Sequence, residues 1–126
     1  MHEAKRRTIV VSARISRECF ADLARSMYMV SLQSLRFAAP RIAICRGLEG
    51  IASLSVHEQA HLLKQCPPAN YQGDIALKLG LDEKEMALVR ELKAQLQQLT
   101  TGKLTTEHTI VLAICWISRN AKIRLP

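Results

Sequence analysis

Aromatic side chains are scarce in this sequence. Two Phe, two Tyr and one Trp are all that 126 residues hold, so the interior has to be built from aliphatic side chains. A short, mostly helical chain with an aliphatic core is often completed by a partner subunit. No C-x-x-C pair occurs among Cys19, Cys45, Cys66 and Cys115, which removes the usual zinc and dithiol signatures. Without a recognisable leader at the start, the four are expected to be reduced cytosolic thiols, mostly core fillers. The longest apolar run, 110–117, is too short to span a bilayer, so no membrane insertion and a cytoplasmic location are expected. There is no low-complexity segment.

Positive charge is in excess, and it is unevenly placed. The formal net charge is +7. Residues 1–50 hold nine Lys/Arg against four Asp/Glu, residues 51–100 five against six, and residues 101–126 four against one. Both ends are therefore basic and the middle is neutral. Cationic ends suit a polyphosphate partner, because each neutralised phosphate releases a counterion.

Apolar periodicity and caps divide the single domain 1–126 into a basic arm and strand over 1–16, a helical half over 17–66, a short strand over 71–80 and a C-terminal helical pair over 81–120. Thr8 to Ser16 alternates in the manner of a strand, with Ile9, Val11, Ala13 and Ile15 on one side. Ser16 then caps a helix to about Met29 with Phe20, Leu23, Ala24 and Met27 as its apolar stripe. A second helical stretch begins near Ser31, turning Leu32, Leu35 and Ala39 inward, with Pro40 inside it: either the helix bends there or two short helices meet there. The stretch 52–79 is expected to organise the rest. Ser55 and Glu58 have the spacing of a capping box, Val56, Ala60 and Leu63 form one apolar side, and Pro67-Pro68 ends the helix. Ile75, Leu77 and Leu79 alternate after the break. Asp82 caps a long helix with the seam Met86, Val89, Leu92, Leu96 and Leu99, and Thr105 or Thr106 caps a last helix that is apolar nearly all round. The expected fold is mainly α with one or two short β-strands, a small intertwined or dimerising helical domain.

Two local patterns carry possible chemistry. His57-Glu58-Gln59-Ala60-His61 matches H-E-x-x-H, in which two His one helical turn apart hold zinc and the Glu is a base. Here Lys64 and Pro67 stand where the longer metzincin form has Gly and His, nothing selects Asp82 or Glu83 as a third ligand, and Glu58 already belongs to the cap. A zinc metalloprotease is therefore a remote alternative. A ribbon-helix-helix protein is the closer one. In that DNA-binding family a strand places alternate side chains in the major groove and two strands pair across a dimer. Val11-Ser12-Ala13-Arg14-Ile15-Ser16 resembles such a strand, with Ser12 and Arg14 outward. A second copy over Ile75-Ala76-Leu77-Lys78-Leu79 and the final two helices would make the ribbon intramolecular. On this reading Pro40 breaks the second helix, and the segment 41–68 has no place.

The widest resemblance starts at Phe20. Ile51-Ala52-Ser53-Leu54-Ser55-Val56, then Glu58 or Gln59 and Ala60-His61-Leu62-Leu63-Lys64-Gln65, resembles the FlhD family. Its members are subunits of the flagellar master activator and of activators of conjugative transfer. The later strand, the final apolar helix from Thr105 and the stretch Leu23 to Leu35 continue that resemblance, while the arm before Phe20 is additional and Pro40 interrupts the family's helical region. The resemblance implies a transcriptional activator subunit, not an enzyme. It would be a homodimer within a hetero-oligomer, joined to a zinc-bearing FlhC-like partner on promoter DNA, and would recruit RNA polymerase. It implies no cofactor in this chain, the zinc belonging to the partner. From physics alone, Phe20, Leu23, Met27, Met86, Val89, Leu92 and Leu96 are the expected dimer or partner interface. Charge alone nominates Lys5, Arg6, Arg7, Arg14, Lys103, Arg119, Lys122 and Arg124 for DNA, mostly as phosphate contacts.

Overall fold

The structure, a computed structural model, describes residues 8–120, with the backbone alone at position 68. The elements are β1 (Ile9–Ile15), α1 (Arg17–Ser34), α2 (Pro40–Ala52), α3 (Val56–Gln65), a 3-10 turn over Pro68–Asn70, β2 (Ile75–Leu81), α4 (Glu83–Gln97) and α5 (Thr106–Asn120). The described residues thus form a mainly helical domain with one two-stranded antiparallel sheet.

Capping and β-branching account for most boundaries. Ile9, Val10, Val11 and Ile15 favour the extended chain. Ser16 ends β1 and starts α1, its hydroxyl accepting from the Cys19 amide at 3.1 Å. Asp82 does the same between β2 and α4, accepting from the Glu85 amide at 2.8 Å while Glu85 accepts from the Asp82 amide at 2.9 Å. Ser55 and Glu58 close the expected capping box on α3. Such caps each contribute about 1 kcal/mol.

The two strands are distant in sequence but pair along their whole length, from Ile9 against Leu81 to Ile15 against Ile75. Each strand leads through a one-residue cap into two helices. A constant offset of 66 residues (75 minus 9, 83 minus 17, 106 minus 40) carries the start of each element of β1-α1-α2 onto β2-α4-α5. The strand register is symmetric about the pair Ser12–Lys78, whose numbers also differ by 66. The helices cross in the same sense. Gly47 lies against the backbone of Ala113 and Gly50 against the ring of Trp116, again partners 66 apart. The fold is therefore two βαα units related by an approximate two-fold axis through the ribbon centre and the α2–α5 crossing. Residues 53–74, with α3, link them.

The core lies between ribbon and helices. Val11, Ala13, Ile15, Leu79 and Leu81 point inward from the sheet onto Ile44, Leu48, Ile51, Leu92, Leu96 and the buried length of α5, Thr109 to Cys115. Among the helices α2 and α5 make the most extensive contact, and only the β1–β2 pairing exceeds it, so the ribbon and the α2–α5 crossing, rather than the stretch 52–79, organise the chain.

Several expectations are corrected. Pro40 does not bend a helix; of the two arrangements expected there, the one found is a meeting of two helices. Pro40 is the first residue of α2, where a missing amide costs nothing. α1 runs on to Ser34 and stops at Leu35, which takes the left-handed conformation at φ 56°. Leu35 is 81% exposed and Ala39 is also outside. The inner face of α1 is Cys19, Leu23, Ser26, Met29 and Val30, which leaves Phe20 51% exposed and Ala24 outside. On α3 the buried residues are Gln59 and Leu62, while Val56 is 62% exposed. Gln59 donates to the Ile51 carbonyl at 2.9 Å and so ties α3 to the end of α2. Of the four expected thiols, Cys66 and Cys115 instead form a disulfide that fastens the end of α3 to α5. Of the expected interface, Leu23, Met86, Val89, Leu92 and Leu96 are consumed by the chain's own core. Met86 through Leu96 pack on α2 and α5 because the second βαα unit supplies the partner surface within the same polypeptide. Only Phe20 and the half-buried Met27 stay at the surface.

Candidate nucleic-acid interface

Strand alternation gives the ribbon two unlike faces. The inner face is core. The outer face carries Val10, Ser12 and Arg14 from β1 and Ala76, Lys78 and Gly80 from β2, all exposed. The register sets them in three cross-strand pairs: Val10 with Gly80, Ser12 with Lys78, and Arg14 with Ala76. No described helix covers this face. Paired strands about 5 Å apart, with their side chains, fit a groove about 12 Å wide, and B-DNA's major groove admits such a ribbon.

Arg14 is held by its backbone rather than its head. Its amide donates to the Glu107 carboxylate at 2.7 Å, which closes the outer edge of β1 against α5. Neither Arg14 nor Lys78 forms an ion pair among the described residues; the pairs found there are Arg25–Asp22 and Arg41–Glu85. Arg14 and Lys103 line one recess of about 270 Å³ together with Gln72, Thr105, Glu107 and His108. The structure thus brings together two of the charge-nominated cations, Arg14 and Lys103. Arg119 is not with them. It lies near the other end of α5, about 18 Å along the axis from Glu107, where its guanidinium reaches Gln65 and the Tyr71 hydroxyl at 3.4 Å. Lys5, Arg6, Arg7, Lys122 and Arg124 lie outside the described residues.

Charge reasoning did not nominate Lys78, although the ribbon-helix-helix resemblance already turned Ser12 and Arg14 outward and joined the two strands in one ribbon. The signal was present in the alternation of Ile75–Leu81, which turns Lys78 outward. Only the pairing of β1 with β2 sets Lys78 beside Ser12.

The other motif gathers no ligand set. His57 and His61 are exposed on α3, Glu58 is engaged in the cap, and the described residues contain no group of three His, Cys, Asp or Glu that could hold a metal ion. Burial pushes the Cys19 thiol up to about 12, with Asp22 adding to it. Burial likewise pushes Cys45 up to about 12, helped by its hydrogen bond to Glu85. Neither is a thiolate nucleophile at neutral pH. No described helix is long and apolar enough to cross a membrane.

No family model, curated protein or solved structure matches the chain.

Proposed function

We propose that this chain is a DNA-binding transcription regulator of the ribbon-helix-helix kind, with both βαα units in one polypeptide, and that the β1–β2 ribbon enters the major groove. The observation that carries the reading is the register. It collects six residues on one face that no described helix covers, two of them cationic, while the opposite face is locked into the core. Arg14 supplies a planar fork suited to guanine O6 and N7, Ser12 a hydroxyl that pairs with either donors or acceptors, and Lys78 a central cation. Lys103 beside Arg14 serves a phosphate.

A mobility-shift assay with the full chain, first on mixed and then on selected duplexes, tests this. Arg14→Ala is expected to lose about 1–3 kcal/mol and to relax preference at one base position. Lys103→Ala is expected to weaken all sequences alike and flatten the salt dependence by about one unit. Lys64→Ala on exposed α3 should change neither. Binding indifferent to Arg14 would refute the reading.

A second reading retains the FlhD-type partnership on promoter DNA. It is favoured by an apolar patch at the α1–α2 turn that the described chain leaves open: Tyr28, Leu32, Leu35 and Phe37. Under it the chain alone binds weakly, and tight binding appears when the product of the neighbouring gene is added. Co-purification followed by shift assays with and without that protein separates the two.

A further inference from the structure

The difference between the two strands decides what kind of site such a ribbon can read. In a homodimer both strands have one sequence, so every base contact is repeated about the axis and the site is an inverted repeat. Here the 66-residue offset carries Val10, Ser12 and Arg14 onto Ala76, Lys78 and Gly80. No outward residue is matched by its equivalent. The antiparallel register then concentrates this difference at the ends. At one end Arg14 lies beside the methyl of Ala76, with Gln72 and Lys103 in the adjoining recess. At the other, Val10 lies beside Gly80, which has no side chain, and the adjoining recess is lined by Thr8, Ile9, Glu83 and Arg90. On the ribbon itself one end offers a fork of donors and the other only the apolar Val10 and Gly80, the charged Glu83 and Arg90 lying off the ribbon in the recess beyond.

We infer that the ribbon reads a non-palindromic run of base pairs in one fixed orientation, Arg14 over a guanine and the Val10–Gly80 end over a thymine methyl. This rests on the major-groove reading above. The chemistry follows from the groove itself: guanidinium pairs with the two guanine acceptors, and an apolar side chain packs on the thymine methyl. The inner faces remain alike enough to build one symmetric scaffold, whereas the outer face is free to differ because both halves belong to one chain.

The full chain is used to select bound duplexes from a random pool, and the consensus is then tested on duplexes that hold a single site. The expected consensus differs from its own reverse complement and binds one molecule per duplex. Replacing the half-site under Val10–Gly80 by the reverse complement of the half-site under Arg14 should weaken binding about tenfold. A consensus equal to its reverse complement overturns the inference and leaves the DNA reading standing. Absence of any sequence preference overturns both.

The variant A76V/K78S/G80R gives β2 the outward face of β1. An added Cβ at Gly80 meets only the methyl of the exposed Thr8, at 2.8 Å, so Thr8 has to turn aside to admit it. This variant should select an inverted repeat; selection of the wild-type consensus again would overturn the inference. The wild-type selection decides alone if the variant does not fold.

Discussion

The two βαα units make the same contacts with different side chains. In the first, the turn between helices is held by Ser31, whose hydroxyl accepts from the Ala38 amide at 2.9 Å. In the second, the equivalent amide, on Leu104, donates to Gln97 at 2.7 Å. Both acceptor and donor shift by 66 residues, so the bond is kept while its acceptor changes from hydroxyl to amide. The helix starts diverge likewise. Ser16 caps α1 alone, with buried Cys19 three positions on, whereas Asp82 and Glu85 form a reciprocal box on α4. At the crossing the difference becomes complementary, with Gly47 on Ala113 and Gly50 on Trp116. In a homodimer the residue at this place would meet its own copy across the axis, so glycine could not face tryptophan there. In a fused pair it can, and each half has become the other's mould. The difference teaches that fusion changes what a two-fold fold can hold: symmetric backbone bonds persist while side chains specialise.

The largest effect should come from breaking the closest approach. An added Cβ at Gly47 runs into the Ala113 backbone carbonyl, which no rotamer change relieves. Gly47→Val is expected to cost about 3 kcal/mol or to prevent folding, despite the poor helix propensity of glycine. Urea unfolding followed by circular dichroism checks this; a variant as stable as wild type would mean that α2 and α5 do not cross here.

The second pair is softer, because Gly50 meets a side chain rather than backbone. Gly50→Ala should destabilise the wild type by about 1 kcal/mol. In a Trp116→Ala background, where the ring is gone, it should stabilise by about the same amount through helix propensity. The double-mutant cycle then gives a coupling of about 2 kcal/mol. Additive effects would break the claim that the two halves fit as complementary surfaces.

Much of this fold is legible locally. Ile9–Ile15, Ile75–Leu81 and the helix starts at Ser16, Ser55 and Asp82 follow from alternation and caps, which act within a few residues. The α1–α2 boundary is not legible, because Leu35 takes a left-handed stop without glycine and Pro40 reads equally as a kink or a first helical residue. Which face of α1 or α3 is buried is set by where α5 lies, and no periodicity on α1 or α3 reports that. A second copy from Ile75 through the final two helices is legible from strand alternation, but its residue-by-residue match is not: Gly47 and Ala113, Gly50 and Trp116, Cys19 and Glu85 diverged as pairs. The candidate site is half legible. Arg14 and Ser12 read as outward from β1 alone, Lys78 joins them only through strand pairing, and Arg119 shared only its charge with the others.

The smallest expected effect concerns the unequal caps. Burial tends to raise the Glu85 pKa. The Asp82 amide, the Arg41 guanidinium at 2.9 Å and the Cys45 thiol at 3.3 Å outweigh it and hold the carboxyl below its ordinary value. A depressed folded pKa means that the unfolded chain binds the proton more readily, so this contribution is whole above the ordinary carboxylate value and is lost as pH falls below it. Replacing the carboxylate in Glu85→Gln should cost about 1 kcal/mol at pH 7 and leave a shallower loss of stability between about pH 5 and 3. Cys19, the equivalent residue in the first unit, has no such group, so Cys19→Ser should leave the slope in that window as it is. Parallel pH profiles for wild type and Glu85→Gln would show that the second cap differs from the first in geometry but not in energy.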